Sequence, residues 1–332
     1  MDRQASRPLP VLDIVVPCFN EEATLPKSAD RLRAKLLELI ESQQITRNSA
    51  IVYVDDGSVD QTWPLIESFC REDVYTRGIK LSRNRGHQNA LLAGLLSSQA
   101  DLTISIDADL QDDVDAIDEM LAAYRQGAEI VYGVRADRSS DTLFKRFSAR
   151  LFYKTMSLFG VEAIHNHADF RLMSRKVLNG LASFREVNLY LRGIIPLIGY
   201  NHATVEYVRC PRLQGESKYP LRKMLALALD GITSFSVVPL NVIFYFSFIV
   251  IFMVLGLVVW AFWEAFIAKT TVPGWTSTVL AILFMGGVQI LCLGVLGNYL
   301  GRIYAEVKSR PRFFIDKVAP NNDSTDNKKF DN

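Results

Sequence analysis

Asp107-Ala108-Asp109 follows the apolar run Leu102–Ile106, and this pair of carboxylates is the first feature of the sequence with obvious chemical potential. Alternate residues of a strand point to one face, so the two carboxylates can converge. Convergent oxygens suit a hard cation, Mg2+ or Mn2+, with phosphate oxygens and water completing an octahedron. Gln111 adds a neutral oxygen. From Asp101 to Glu119 the chain carries eight acidic residues and no basic one, so Asp112, Asp113 and Asp115 also read as a solvated loop and a capped helix start. Taken alone, Asp55-Asp56-Gly57-Ser58 can be an Asx turn capping the helix at Asp60. Arg135 taken alone can be a surface arginine at a strand end. Asp169-Phe170-Arg171 follows His165 and His167, but this does not read as a second metal site, because the earlier carboxylate pair already suits a hard cation.

The elements that must hold these residues alternate in type. Leu12–Pro17, Ala50–Asp56, Gly78–Ser82, Asp101–Asp109 and Glu129–Val134 read as strands. Helices are expected over about Ala23–Glu41, Asp60–Cys70, Gly86–Ser98 and Asp115–Gln126, the first presenting Leu32, Leu36, Leu37 and Ile40 on one face. Such alternation predicts an α/β fold, a mostly parallel sheet with flanking helices. Ligands bind such sheets beyond the carboxyl ends of the strands, where Asn20-Glu21, Asp55-Asp56, Arg83–Arg85, Asp107–Asp109 and Arg135 fall. No GxGxxG and no GxxxxGK[ST] occurs, so a bound diphosphate needs a counter-charge other than a glycine cradle.

No charged residue lies between Asp230 and Glu264, nor between Lys269 and Arg302. Each window exceeds the ~20 apolar residues needed to cross a bilayer, which predicts a two-helix transmembrane hairpin near Pro239–Trp263 and Thr276–Leu300. Arg222 and Lys223 precede it, and Arg302, Lys308, Arg310 and Arg312 follow. The positive-inside rule then puts both flanks and both termini in the cytoplasm. The expected organisation is a catalytic domain over residues 1–220, an interfacial amphipathic helix over 221–236, the hairpin over 237–304 and a polar tail over 305–332, disordered over Asp316–Asn332. A second candidate interfacial helix is Thr142–Gly160. Cys18, Cys70, Cys210 and Cys292 are too scattered for a disulfide framework or a zinc site. The formal net charge of +1 by itself says nothing about partners, and no nucleic-acid partner is expected.

Three motifs carry a resemblance: VVPCFNEE (Val15–Glu22), VDDGSVDQT (Val54–Thr62) and IDADLQDD (Ile106–Asp113). Together they resemble the inverting family-2 glycosyltransferases of GT-A fold. NHADFRLMSR (Asn166–Arg175), GESKYPLRKM (Gly215–Met224) and DGITSFSVVPL (Asp230–Leu240), followed by two apolar runs, resemble the polyprenyl-phosphate branch, the bactoprenol glucosyltransferases above all. The resemblance covers about Val11–Tyr304. It implies that Pro17, Asn20 and Glu21 line a nucleotide pocket with Asp56 on the base or ribose. It also implies that Asp107, Asp109 and Gln111 hold the metal, that Arg135 neutralises donor phosphate, and that Asp169 sits near the sugar and Arg171 near phosphate. Arg146, Lys218 and Arg222, close to the membrane, are expected to bind the acceptor phosphate. The implied reaction moves a sugar, glucose from UDP-glucose as the first choice, to undecaprenyl or another polyprenyl phosphate. It proceeds with inversion, on the cytoplasmic face of the plasma membrane, and the enzyme is implied to be a homo-oligomer such as a tetramer. Mannose or a modified arabinose is the alternative sugar, and a non-catalytic nucleotide-binding scaffold is the alternative class. A processive synthase is disfavoured by the absence of a Q-x-x-R-W motif and of further spans.

Overall fold

β-Branched and aliphatic residues dominate Leu12–Cys18 and Ala50–Asp55, and every residue of both segments is buried. Strands this apolar must be covered on both faces. A computed structural model of the chain shows how, and it describes residues 8–109, 111–135, 167–186, 191–208, 238–263 and 274–319. The chain divides into two units. The first gathers Met1–Arg150, Ala163–Lys218 and Arg310–Asn332, and the second Leu151–Glu162 and Tyr219–Ser309.

In the first unit the strands are β1 (Leu12–Cys18), β2 (Ala50–Asp55), β3 (Thr76–Leu81), β4 (Leu102–Ser105), β5 (Ile130–Arg135), β6 (His167–Ser174), β7 (His202–Tyr207) and β8 (Ile315–Ala319). They form one sheet in the order β7-β5-β6-β4-β1-β2-β3-β8. Strands β1 to β4 pair in parallel, as do β5 and β7, whereas β6 and β8 run against their neighbours. The expected GT-A-like α/β fold with a mostly parallel sheet is what the chain adopts. The helices of this unit are α1 (Leu25–Glu41), α2 (Thr62–Glu72), α3 (His87–Ser97), α4 (Ala116–Arg125), α5 (Arg175–Ala182) and α6 (Leu191–Leu197). On α1 the buried ridge is Leu25, Ser28, Leu32, Lys35, Leu36 and Leu39, with Leu37 and Ile40 only partly covered, a rotation of the expected face. Lys35 is carried into that ridge because its ammonium reaches the carboxylates of Asp118 and Glu38. Gly94 lets α3 approach the sheet closely, since an added Cβ would run into Val15 and Val54. Cys18 and Cys70 are free, buried thiols.

Two features depart from the sequence reading. Strand β4 ends at Ser105, so Asp107 and Asp109 lie beyond it and not on the strand pleat that was expected to make them converge. The tail was expected to be disordered from Asp316, but Ile315–Ala319 pairs antiparallel with β3. Backbone hydrogen bonds to the open edge of β3 outweigh the polar composition of this segment.

In the second unit, α7 (Val238–Trp263) lies within the first uncharged window, α8 (Trp275–Val307) spans most of the second and runs past it through Arg302 and Glu306, and the two helices touch one another. Among the described residues, one segment, Phe284–Val307, is long and apolar enough to cross a membrane by length and composition. Thr142–Gly160 and residues 221–236, both read as interfacial helices, lie outside the described residues.

Candidate active site

The parallel register sets the carboxyl ends of β1, β2 and β4 side by side, with Cys18 opposite Asp55 and Val15 opposite Ser105. Asn20 follows β1 with φ 55°, a left-handed conformation that asparagine tolerates. Its side-chain oxygen accepts from the Val59 N–H at 3.0 Å, and its own N–H donates to Ser58 Oγ at 3.0 Å. The Glu21 N–H donates to Thr62 Oγ1 at 2.8 Å, and its carboxylate accepts from the Thr24 hydroxyl. Pro17 is buried within β1 opposite Val54. Asn20 and Glu21 thus lock the β1–α1 turn to the β2–α2 turn. Asp56 is buried and accepts the Arg85 N–H at 2.7 Å and the Gly86 N–H at 2.8 Å, one on each oxygen. It therefore clamps the loop between β3 and α3. Gly57 has φ +69°, and an added Cβ would lie 2.7 Å from the backbone of Arg83 and Asn84, so this close approach of two loops requires glycine. Asp55 Oδ1 accepts the Ser58 N–H at 3.2 Å, three residues on, whereas the Asx-type bond before α2 is made by Asp60, whose Oδ1 accepts the Thr62 N–H at 3.0 Å, so the expected turn lies later than Asp55–Ser58.

Beyond β4 the turn carries Asp107, Asp109 and Gln111. Gln111 is buried and its N–H donates to Asp109 Oδ1 at 3.3 Å. The Asp107 side chain is 38 % exposed overall, but its Oδ1 is closed to solvent and accepts no hydrogen bond. Burial pushes its carboxyl up to about 6, opposed by His87 and reinforced by the charges of Asp112, Asp169 and Asp109. Asp112 is buried, takes the Tyr207 hydroxyl hydrogen bond and lies 3.6 Å from the Arg135 guanidinium. Tyr207 also accepts from Arg135 Nε at 3.3 Å. Arg135 is therefore anchored at its strand end, and Asp112 is an interior anchor rather than part of a solvated loop.

Strand β6 inserts antiparallel between β4 and β5, and that direction delivers Asp169 and Arg171 to the carboxyl end of β4, with Arg171 opposite Ser105. Arg171 is fully buried, and its guanidinium pairs with Asp169 Oδ1. Arg192, on α6, approaches the same carboxylate in a fork, Nε to Oδ1 at 3.2 Å and Nη2 to Oδ2 at 3.1 Å. His87, the first residue of α3, places Nε2 at 3.5 Å from both Asp169 Oδ2 and Asp107 Oδ1. Burial alone would raise Asp169, but His87, Arg171 and Arg192 outweigh it and hold its carboxyl well below the usual carboxylate range. Burial likewise opposes the charge on His87, yet Asp169 and Asp107 raise its pKa.

A family model described as glycosyl transferase family 2 matches residues 13–181. An uncharacterized glycosyltransferase of Bacillus subtilis, YkoT, is 46% identical over 309 residues, 92% of this chain and 91% of that protein. The SfII prophage-derived bactoprenol glucosyl transferase of Shigella flexneri is 38% identical over 308 residues, 92% of this chain and 97% of that protein. Among solved structures, a glucosyl-3-phosphoglycerate synthase from Mycobacterium tuberculosis in complex with Mn2+, UDP and phosphoglyceric acid is 17% identical, covering 68% of this chain and 76% of that one with a TM-score of 0.43. The chain belongs to glycosyl transferase family 2.

In this family-2 glycosyltransferase, Asp107, Asp109, Asp112, Arg135, Asp169 and Arg171 gather at one end of the sheet. Arg146, Lys218, Arg222 and His165 lie outside the described residues. His87, Arg192 and Tyr207 were not singled out from sequence. Arg192 had a signal, because it is the one charged residue between Val187 and Tyr200. His87 had a weaker one, a polar residue opening an otherwise apolar helix next to Arg83–Arg85. Tyr207 had none, because a tyrosine at a strand end is ordinary packing.

The donor set fits a divalent cation. Asp107 presents a solvent-shielded oxygen that accepts no hydrogen bond, amid carboxylates whose charges raise its pKa. Among the described residues no group of three or more His, Cys, Asp or Glu side chains is placed to hold a metal by itself. A hard cation would take that Asp107 oxygen as a ligand and draw further oxygen ligands from outside the protein.

Proposed function

We propose that this glycosyltransferase moves glucose from UDP-glucose onto a polyprenyl phosphate, undecaprenyl phosphate or a similar lipid, with inversion, at the cytoplasmic face of a membrane. The observation that carries the reading is the state of Asp169. The His87 hydrogen bond and the guanidinium groups of Arg171 and Arg192 hold it ionised, so it is a weak proton acceptor near neutrality. An alcohol acceptor calls for a general base poised near the working pH. A phosphate monoester does not, because its second pKa of about 6 leaves it mostly dianionic at pH 7. A site whose central carboxylate serves to arrange arginines is suited to a phosphate nucleophile. The Shigella relative is named for bactoprenol glucosyl transfer, which supports the lipid acceptor and the glucosyl donor. The uncharged helix α7 and the stretch of α8 before Arg302, which carries no charge, support a membrane hairpin that keeps the enzyme at its lipid substrate.

Asp107 and Asp109, with Gln111, would hold Mg2+ or Mn2+, which when bound supplies positive charge to the leaving diphosphate. The remaining work falls to the chain. Arg192 and His87 face the acceptor phosphate with Asp169 fixing their directions, and Arg171 completes that pairing from beneath. Arg135, braced by Asp112 and Tyr207, faces the donor phosphates. The Asn20, Glu21 and Asp56 turns shape the nucleotide pocket. A phosphate oxygen of the acceptor bonds to the anomeric carbon as the bond to the diphosphate oxygen breaks, and UDP leaves with that electron pair. Direct displacement inverts the anomeric centre.

The test incubates the purified full-length enzyme with undecaprenyl phosphate, Mg2+ and a panel of labelled nucleotide sugars. Labelled lipid from UDP-glucose is the expected product. Label only from a mannose or modified-arabinose donor would transfer the reading to that sugar. Label in no lipid, with hydrolysis or transfer to a soluble alcohol instead, would overturn it.

A further inference from the structure

The segment beyond α8 reaches the loop before α3 and the turn after α5, and α3 and α6 carry the His87 and Arg192 that contact Asp169. The Arg312 guanidinium donates to the carbonyl of Phe184. Two residues on, the Phe314 carbonyl accepts the Ser82 N–H at 2.9 Å. Strand β8 then continues along β3 from Ile315 opposite Leu81. Ser82 opens the loop that ends at His87, and Phe184 follows α5 on the way to α6 and Arg192. The two loops are also tied to each other, because Gln88 Oε1 accepts the Leu191 N–H at 3.0 Å. One short stretch, Arg312 to Ile315, therefore grips both approaches to the cluster from the sheet edge.

We propose that Arg312 is a positioning residue: by anchoring the Arg312–Ile315 stretch on the Phe184 carbonyl it fixes the Ser82–His87 loop held by Phe314 and, across the Gln88–Leu191 bond, places Arg192 against Asp169. The proposal rests on the reading of the Asp169 cluster as the acceptor-phosphate site. A guanidinium on a backbone carbonyl is a charge-assisted bond and holds direction well. The fork of Arg192 on Asp169 depends on direction, since a shift of about 1 Å opens both of its hydrogen bonds. This assigns the residues just past the second apolar helix to the catalytic machinery as a brace, although none of them touches the cluster.

The experiment compares full-length Arg312→Ala, Arg312→Lys, Arg310→Ala and Arg192→Ala in detergent, measuring kcat, both KM values and the thermal midpoint. Arg310 is exposed and two residues away, so its variant removes the same charge without the Phe184 bond. Arg312→Ala is expected to lower kcat/KM for polyprenyl phosphate about tenfold, mostly through the acceptor KM, with the donor KM unchanged. Arg312→Lys, which can still donate to the carbonyl, should recover much of the loss, and Arg310→Ala should match wild type. A lowered thermal midpoint with an unchanged acceptor KM in Arg312→Ala would mean that Arg312 only seals the sheet edge. An Arg310→Ala loss equal to that of Arg312→Ala would assign the effect to charge alone. If Arg192→Ala itself leaves acceptor kinetics untouched, the reading of the cluster falls, and the role of Arg312 falls with it.

Discussion

Asp107 and Asp169 both sit at the carboxyl end of the sheet, share His87 as a neighbour at 3.5 Å, and are driven in opposite directions. Asp169 is surrounded by cations and held well below the usual carboxylate range. Asp107 is shielded and set among carboxylates, which pushes it up to about 6. The same side chain, beside the same histidine, thus meets two environments. At Asp169 the charge is already balanced by protein, so the carboxylate organises what surrounds it. At Asp107 burial and the charges of Asp112, Asp169 and Asp109 oppose the carboxylate's own charge.

The largest effect expected from this contrast is on turnover. Asp109→Asn and Asp107→Asn should each lower kcat by a hundredfold or more, on the order of the loss seen when one preorganised charge-stabilising group is removed. Excess chelator should silence the wild-type enzyme, and Mg2+ or Mn2+ should restore it. Full activity in excess chelator would erase the difference between the two carboxylates, because Asp107 would then have no cation to await.

Stability should divide the pair by sign. Asp169 has its pKa depressed, so its charge stabilises the fold above the ordinary carboxylate range and that contribution is lost as pH falls through its own low pKa. Asp169→Asn leaves the buried Arg171 without its anion, and should cost ~3 kcal/mol at neutral pH. Asp107 has its pKa raised from 3.8 to about 6, so its charge opposes folding above pH 6 and the penalty disappears as pH falls towards 3.8. In metal-free buffer Asp107→Asn should therefore be more stable than wild type between pH 6 and 8. The gain should be on the order of 1 kcal/mol, since the 38 % exposure of the side chain lets water screen much of the full conversion. Thermal unfolding with and without Mg2+ measures both. Equal destabilisation by the two variants would show that Asp107 is as well paired as Asp169.

The sequence made one half of this contrast legible and hid most of the other. Asp107 and Asp109 are separated only by Ala108 and follow an apolar run, so local pattern exposes them, even though they lie beyond the strand rather than on it. The partners of Asp169 come from α3 and α6, 82 residues before it in the case of His87 and 23 after in the case of Arg192. Only the antiparallel insertion of β6 brings them together, and β6 shows no alternation that distinguishes its direction. The parallel core was legible because buried strands read as continuous apolar runs. Strand β8 was not, because its residues IDKVA are mostly exposed and polar enough to pass for a tail, and its order comes from the edge of β3 alone. Asp112 was misjudged for a related reason: an acidic run suggests solvent, and nothing local predicts that Tyr207 and Arg135 close over it.

The smallest expected effect is the most discriminating, because it is the absence of a shift. If Asp169 only arranges Arg171, Arg192 and His87, then Asp169→Asn should retain measurable turnover, and its pH–rate profile should keep the acidic limb of wild type. That limb belongs to the lipid phosphate, whose second ionisation lies near pH 6. Asp107 titrates in the same region when metal is absent, so the profiles must be taken at saturating Mg2+, where the cation competes the proton away. An acceptor carrying a phosphorothioate, which ionises at lower pH, should move the limb downward equally in wild type and in Asp169→Asn. A carboxylate acting as base would behave differently on both counts. Its removal would abolish the limb, and the limb in wild type would ignore the acceptor. The depressed pKa of Asp169 argues for the first outcome, since a carboxylate so strongly favoured as an anion has little tendency to take a proton at pH 7. A folded Asp169→Asn enzyme that has lost the limb would make Asp169 the base, and the two carboxylates would then differ in partner but not in kind.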